Sequence, residues 1–307
     1  MKRKLALTTT FAVLASMYMS AGNAIPEPDF TLPLEYTGEK YSNGITEAEY
    51  TSEKGVCHNI SSAEMMVFIP ETAKPASGYP CILIFPGGGY STIHIVDAGI
   101  RAAEFYNSIG VAAVVVKYRL PNGNRMVPVT DGQQAMKMVR KNAEAWGLDQ
   151  TKIGLTGSSA GGHLASMLAV HYVQADPDAA NELDRYSSRP DFVILVKAVI
   201  NQSKGGTMRN IQGENPDEET IRWCNSLNYI NDALMPTFIA HCTDDPAAPV
   251  EGIVQYYSGL HKAGIPVEMH IFNTGRHGLG YIDRGKPMDS WKKTVTLWLE
   301  GLGIIKK

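Results

Sequence analysis

Residues 152–163 have the sequence Lys-Ile-Gly-Leu-Thr-Gly-Ser-Ser-Ala-Gly-Gly-His. An apolar β-type run enters a Gly-Ser-Ser-Ala-Gly turn, and a helix-forming run over residues 164–170 leaves it. So tight a turn holds its central serine in a strained backbone conformation, and Gly157 and Gly161 avoid the clash that larger residues would cause there. The pattern predicts that Ser159 is a nucleophile on a strand–turn–helix elbow. An ordinary Gly/Ser turn is the alternative.

Outward from this turn, short apolar runs alternate with helix-type segments. Strands are predicted over residues 64–69, 81–85, 111–116, 192–200, 237–241 and 267–272. Helices are predicted over residues 98–109, 131–146 (with Asp131 as its N-cap), 217–224, 250–263 and 289–301. This alternation indicates an α/β fold with a mostly parallel central sheet flanked by helices. Residues 25–44 are expected to form an irregular lead-in, and residues 201–228 an insertion over the sheet.

The first 24 residues resemble an export signal. Three basic residues precede an apolar run from Leu5 to about Met19, and small residues at Gly22 and Ala24 suit cleavage after Ala24. A membrane anchor is the alternative, but the run is short for a span and contains threonines and a serine. We therefore expect a signal peptide over 1–24, one catalytic domain over 25–307, and a periplasmic or secreted product without a stable membrane anchor.

Composition limits the remaining classes of function. Removing residues 1–24 lowers the net charge from −3 to −6, and an acidic chain without Lys/Arg clusters argues against nucleic acid as a partner. Four cysteines, at positions 57, 81, 224 and 242, are widely spaced and include no CxxC motif. Buried free thiols are favoured, although one disulfide is possible in an oxidising compartment. No metal or organic cofactor is implied.

A serine hydroxyl needs a base within hydrogen-bond reach, and His277 is the strongest candidate. It lies in a glycine-containing loop after the last predicted strand, whereas the histidines at 163, 171, 261 and 270 lie within helices or a strand. A carboxylate must then orient the imidazole, and Asp244 and Asp245 both follow the penultimate strand. Because ligands of open α/β sheets bind beyond the carboxyl ends of the strands, these loops are expected to meet.

A fourth loop, Pro86-Gly87-Gly88-Gly89-Tyr90, follows the apolar run over residues 81–85. It lacks the lysine and Ser/Thr of a phosphate-binding loop. Its glycines would instead let backbone amides approach a developing oxyanion. We expect the amides of Gly87, Gly88 and Ala160 to form an oxyanion hole, with a plain glycine-rich turn as the alternative. Tyr90 is expected to contact substrate on the acyl side.

From about residue 64 onward the chain resembles the carbohydrate-esterase-like branch of the α/β-hydrolases, close to acetylxylan esterases and the related acetyl-esterase and lipase group. The resemblance rests on the segments at 85–90, 115–121, 157–165, 243–246 and 275–280. It implies that the acid lies four positions after His241, which is Asp245. Many relatives carry a histidine where this chain has Pro86, so a histidine-dependent order of that loop is not expected here.

Together these features predict a serine hydrolase with Ser159, His277 and Asp245 as a catalytic triad. The resemblance implies that the substrate is a short-chain acyl ester, acetyl in particular, on a plant polysaccharide such as xylan, or another small ester. A peptidase, an amidase or a lipase-like esterase would use the same triad. A catalytically inactive binding module that kept the fold is the alternative from another class.

Overall fold

The structure is a computed structural model, and it describes residues 25–38, 40–202 and 205–306. The predicted export signal over 1–24 lies outside the described residues, as do Ser203 and Lys204 of the predicted insertion.

The described residues contain strands that form two sheets. In chain order the strands are β1 (Phe30–Pro33), β2 (Tyr50–Thr51), β3 (Val56–His58), β4 (Glu64–Phe68), β5 (Tyr79–Phe85), β6 (Ile93–His94), β7 (Ala112–Lys117), β8 (Leu148–Ser158), β9 (Val193–Val196), β10 (Thr237–Cys242) and β11 (Val267–Phe272). The central sheet has the order β1-β4-β7-β5-β8-β9-β10-β11, and β2-β3-β6 form a small antiparallel sheet. The pairs β1/β4 and β4/β7 are antiparallel and the other pairs of the central sheet are parallel. The predicted mostly parallel sheet is confirmed.

Helices flank the central sheet. They are α1 (Arg101–Ser108), which continues from a π-helical turn over Ile95–Ile100, α2 (Met126–Asn142), α3 (Ala160–Val170), α4 (Gly206–Gln212), α5 (Glu218–Trp223), α6 (Val250–Lys262) and α7 (Trp291–Gly301). Short 3-10 segments cover Glu182–Arg185, Ser226–Tyr229, Arg276–Gly278 and Pro287–Ser290. Every residue of β5, β7 and β10 is buried, as expected for parallel strands that are covered on both faces. These three strands therefore lie in the core of the molecule and carry loops at their carboxyl ends.

The helix predicted to begin after Asp131 instead begins at Met126, so the capping prediction is wrong. Pro128 lies in the first turn of the helix, where backbone amides have no partner within the helix. Its lack of an amide proton therefore costs no helical hydrogen bond. The carboxylate of Asp131 is buried inside the helix and accepts hydrogen bonds from the Arg119 guanidinium at 2.6 Å and from the Tyr36 hydroxyl at 2.7 Å. The Asp131 side chain, which was expected to cap the helix, is instead paired with Arg119.

Three other features of the fold differ from expectation. The predicted irregular lead-in contains β1, which pairs antiparallel with β4 in the register Phe30 opposite Val67. The small sheet was not predicted either, because its strands are only two or three residues long. The strand predicted over 192–200 is shorter, since Lys197 adopts a φ of +43° directly after β9.

The four cysteines are buried and unpaired, as the sequence favoured. Among the described residues, no helix has the length and hydropathy that crossing a bilayer requires.

Candidate active site

The turn between β8 and α3 has the strained geometry that its sequence predicts. Ser159 has φ 58° and ψ −123°, a combination that costs a non-glycine residue about 1–3 kcal/mol. A side chain at Gly157 would put its Cβ 2.1 Å from the Gly161 carbonyl oxygen, and one at Gly161 would lie 2.0 Å from the Phe85 carbonyl oxygen. Only glycines at these two positions allow the turn, the start of α3 and the end of β5 to approach so closely.

The three residues predicted as a triad lie in one hydrogen-bonded row. Ser159 Oγ is 2.9 Å from His277 Nε2, and His277 Nδ1 is 2.7 Å from Asp245 Oδ2. Ser159 follows β8, Asp245 follows β10 and His277 follows β11, so each comes from the carboxyl end of a strand. Since a serine needs a base that is itself oriented by a third group, this row can activate the Ser159 hydroxyl as a nucleophile.

Only the second of the two adjacent carboxylates reaches His277. The buried Asp245 side chain also accepts hydrogen bonds from the amides of Ala247 at 2.9 Å and Ala248 at 3.0 Å. Burial alone would raise the pKa of Asp245, but the hydrogen bond from His277, those two amides and the charge of the imidazole lower it below its usual value. Asp244 instead accepts a hydrogen bond from the Arg276 amide at 2.6 Å and so holds the loop that carries His277.

The glycine loop after β5 lies against the proposed nucleophile. A Cβ at Gly87 would be 2.6 Å from the Ser158 carbonyl oxygen and 3.0 Å from Ser159 Cβ. Within residues 25–38, 40–202 and 205–306, no group accepts a hydrogen bond from the amides of Gly87, Gly88 or Ala160. These three amides are therefore free to donate to a ligand beside Ser159, as the predicted oxyanion hole requires. That role remains a prediction.

Buried side chains order this loop. Burial raises the pKa of Tyr90, so its hydroxyl stays protonated and donates to His163 Nδ1 at 2.8 Å, while His163 Nε2 donates to the Cys224 carbonyl at 2.8 Å. The Tyr118 hydroxyl donates to the Pro86 carbonyl at 2.8 Å. The Tyr90 side chain is only 1% exposed, so it offers a substrate little surface, and its contacts support the loop instead.

The predicted insertion also contacts the glycine loop. The Asn210 side chain, on α4, donates to the Gly89 carbonyl at 2.8 Å. The site is thus enclosed by the loops after β5, β8, β10 and β11 and by a segment that follows β9.

The sequence analysis did not identify Lys197, which contacts the His277 loop. Lys197 follows β9, and its Nζ donates to the His277 carbonyl at 3.0 Å. Burial lowers the pKa of this lysine to about 8, although the nearby charge of Asp245 acts in the opposite direction. The lysine therefore connects the His277 loop to the end of β9. A charged residue within the apolar run over 192–200 was the available signal.

Comparison with known proteins gives consistent matches. Residues 65–260 match the model of the BD-FAE family. The chain is 31% identical over 253 residues to an acetylxylan esterase from Xylanibacter ruminicola, covering 80% of this chain and 49% of the relative. It is 32% identical over 206 residues to endo-1,4-beta-xylanase B from Butyrivibrio fibrisolvens, covering 65% of this chain and 32% of that protein. The chain thus spans about half the length of the first relative and a third of the second.

A solved structure with a similar fold covers nearly the whole chain. It is the acetyl ester-xyloside bifunctional hydrolase from Caldicellulosiruptor lactoaceticus, with a TM-score of 0.76 and 30% sequence identity. The match covers 91% of this chain and 98% of that one.

The two neighbouring carboxylates are expected to respond differently to amide substitution. Asp245→Asn should lower kcat by about 10⁴, because the amide favours the wrong imidazole tautomer. Asp244→Asn should mainly lower stability, since its carboxylate holds the Arg276 amide. Initial rates with p-nitrophenyl acetate and melting temperatures of both variants test this. A larger loss of kcat in Asp244→Asn than in Asp245→Asn would contradict the assignment of Asp245 as the carboxylate that orients His277.

Stability should fall in mild acid because of His163. Burial lowers the pKa of His163 to about 4, from 6.5 for an exposed histidine, so between these values only the unfolded chain takes up the proton. The neutral His163 therefore contributes its full share to the free energy of unfolding above about pH 6.5. As the pH falls towards 4, the free energy of unfolding decreases by about 3 kcal/mol. Urea unfolding at pH 7 and pH 4.5 should show a smaller pH dependence for His163→Phe than for the natural chain. Equal pH dependence in the two proteins would contradict the assignment.

Proposed function

Because the chain belongs to the BD-FAE family of α/β-hydrolases, we propose that it is a carboxylic ester hydrolase that removes short acyl groups, acetyl in particular, from xylan-type polysaccharide. The observation that carries the proposal is the row from Ser159 Oγ through His277 to Asp245, with the free amides of the glycine loop beside it. An inactive binding module would have no need of this alignment.

In the proposed reaction, Ser159 Oγ attacks the ester carbonyl and its proton passes to His277 Nε2. Asp245 holds the imidazole in the required tautomer and stabilises its charged form. The amides of Gly87, Gly88 and Ala160 receive the negative charge of the tetrahedral intermediate, each contributing roughly 10²–10³ in rate. His277 then protonates the departing sugar oxygen, which leaves as a hydroxyl, and the acyl group remains bound to Ser159. A water molecule, deprotonated by His277, releases the carboxylic acid and restores Ser159.

The choice of substrate is supported by the relatives and by the surroundings of the site. The similar proteins are named as an acetylxylan esterase, a xylanase and an acetyl ester-xyloside hydrolase. The insertion beside the glycine loop is polar: the Thr207 hydroxyl lies 3.7 Å from where a Gly89 Cβ would be, and Asn210 bonds the same loop. Polar groups there suit sugar hydroxyls better than a long acyl chain.

We also propose that residues 1–24 are an export signal and that the mature chain is periplasmic or secreted, where a polymeric plant substrate is accessible. The basic start, the apolar run and the small residues near position 24 support this.

Acetate release from acetylated xylan tests the proposed activity. The natural chain should release acetate, and Ser159→Ala should lose about 10⁴–10⁶ in kcat while its melting temperature is retained. A serine-directed phosphonate should label Ser159 alone. Labelling at the buried Ser158, or no labelling, would exclude Ser159 as the nucleophile.

Acyl length should decide between an acetyl esterase and a lipase-like enzyme. A buried CH₂ contributes about 0.8 kcal/mol, but only where an apolar surface receives it. Since the neighbouring insertion is polar, we expect kcat/KM for p-nitrophenyl esters to be highest for acetate and to fall from butyrate to octanoate. A rise towards octanoate would indicate a lipase-like pocket and remove the polysaccharide proposal.

A further inference from the structure

We propose that a polar cleft beside the glycine loop is a binding subsite for a neutral sugar ring of the polysaccharide chain, next to the ring that carries the acyl group. The cleft has a volume of about 410 Å³ and is lined by residues 44–47, Asn59, Tyr90, Ser91, Leu120, Asn122 and Asn210. It is called the asparagine cleft below. This inference rests on the proposed function, and it concerns residues outside the triad and the oxyanion amides.

The asparagine cleft shares a wall with the glycine loop. Tyr90 and Ser91 line the cleft, and they directly continue the loop whose first glycine lies against Ser159. Tyr90 lies three positions after Gly87, a distance of at most about 11 Å along the chain. A single oligosaccharide can therefore occupy the cleft and present an acyl group to Ser159 at the same time.

Three asparagine side chains in the cleft are held in fixed orientations. Asn59 Nδ2 donates to the Ala48 carbonyl at 3.2 Å and Asn122 Nδ2 donates to the Asn43 carbonyl at 2.8 Å. Asn210 Nδ2 donates to the Gly89 carbonyl at 2.8 Å. Because each amide nitrogen is bound to backbone, the amide planes are fixed before any ligand arrives.

The carbonyl oxygens of these three side chains can accept hydrogen bonds from a ligand. In the described part of the chain, no donor bonds the Oδ1 atoms of Asn59, Asn122 and Asn210. Acceptors on three residues that line one cleft suit a ligand with several hydroxyl donors, since a hydroxyl removed from water needs a replacement partner.

Two of these asparagines adopt a left-handed backbone conformation, which asparagine and glycine tolerate better than other residues. Asn59 has φ 55° and Asn122 has φ 45°, in the left-handed region that few residues other than glycine adopt readily. Glycine would satisfy the backbone there, but it would present no acceptor to the cleft.

The other lining groups match a neutral sugar rather than an ion. Among the lining residues, Glu47 is the single charged group, so the cleft has no cation to attract an anionic ligand. The partly buried Ile45 adds apolar surface on which the C–H groups of a sugar ring can pack. In small-molecule sites of this volume, a few placed polar groups fix the orientation of the ligand.

The experiment removes two acceptors without straining the backbone. In Asn59→Gly/Asn122→Gly, glycine fits both positive φ angles, and melting temperature reports folding. Unacetylated xylotetraose is titrated into the natural chain and the variant by calorimetry. We expect Kd to rise about tenfold in the variant, as for two lost hydrogen bonds. Equal Kd values, or no binding of xylotetraose to the natural chain, would overturn the proposal. If the double variant fails to fold, Asn59→Gly alone should raise Kd about threefold.

Kinetics add a readout that a structural role would not produce. The ratio of kcat/KM for acetylated xylo-oligosaccharide to kcat/KM for p-nitrophenyl acetate should fall about tenfold in the variant, chiefly through KM. An unchanged ratio would overturn the subsite. As a matched control, Asn231→Gly removes an exposed asparagine whose amide also donates to a backbone carbonyl, that of Tyr229 at 3.1 Å, and it should leave both Kd and the ratio unchanged.

These two measurements separate the subsite from the proposed function. If the natural chain hydrolyses neither ester, the proposed function fails, whereas xylotetraose binding still decides the cleft. If it hydrolyses both esters but does not bind xylotetraose, the cleft proposal fails and the esterase proposal stands.

Discussion

The close approach of three backbone segments at the carboxyl edge of the sheet constrains the rest of the site. The turn after β8, the first turn of α3 and the end of β5 pack so tightly that a Cβ at Gly157 or Gly161 would overlap a carbonyl oxygen at about 2 Å. This contact holds Ser159 in its strained conformation and brings the glycine loop beside it. The strain of about 1–3 kcal/mol is sustained because α3 and β8 are almost fully buried.

A buried chain of hydrogen bonds holds the glycine loop that follows β5. Tyr90 bonds His163 on α3, and His163 bonds the Cys224 carbonyl at the end of the insertion. Burial lowers the pKa of His163 and so keeps its imidazole neutral. Each of its two nitrogens therefore has a defined role, with Nδ1 accepting and Nε2 donating. The loop, the elbow helix and the insertion are thereby coupled, so the position of the proposed oxyanion amides depends on all three.

Electrostatics around His277 follow from the same edge of the sheet. Asp245 is buried, and its ionised form persists because the imidazole and two amides offset the cost of burial. Lys197 approaches the His277 loop from β9 and binds its backbone carbonyl. Asp245 thus orients the His277 side chain, and Lys197 holds the His277 main chain.

The sequence by itself determined the elbow, the alternation of strands and helices, and the order Ser159, Asp245, His277. These are local properties: a tight turn requires glycines at fixed spacing, and buried parallel strands require continuous apolar runs. Only the tertiary structure decided which groups the chain brings together from distant positions. Asp131 pairs with Arg119 instead of capping a helix, Tyr90 is buried against His163, and Lys197 reaches His277. Such contacts depend on how strands pack in space, and nothing in the local pattern of residues specifies that packing.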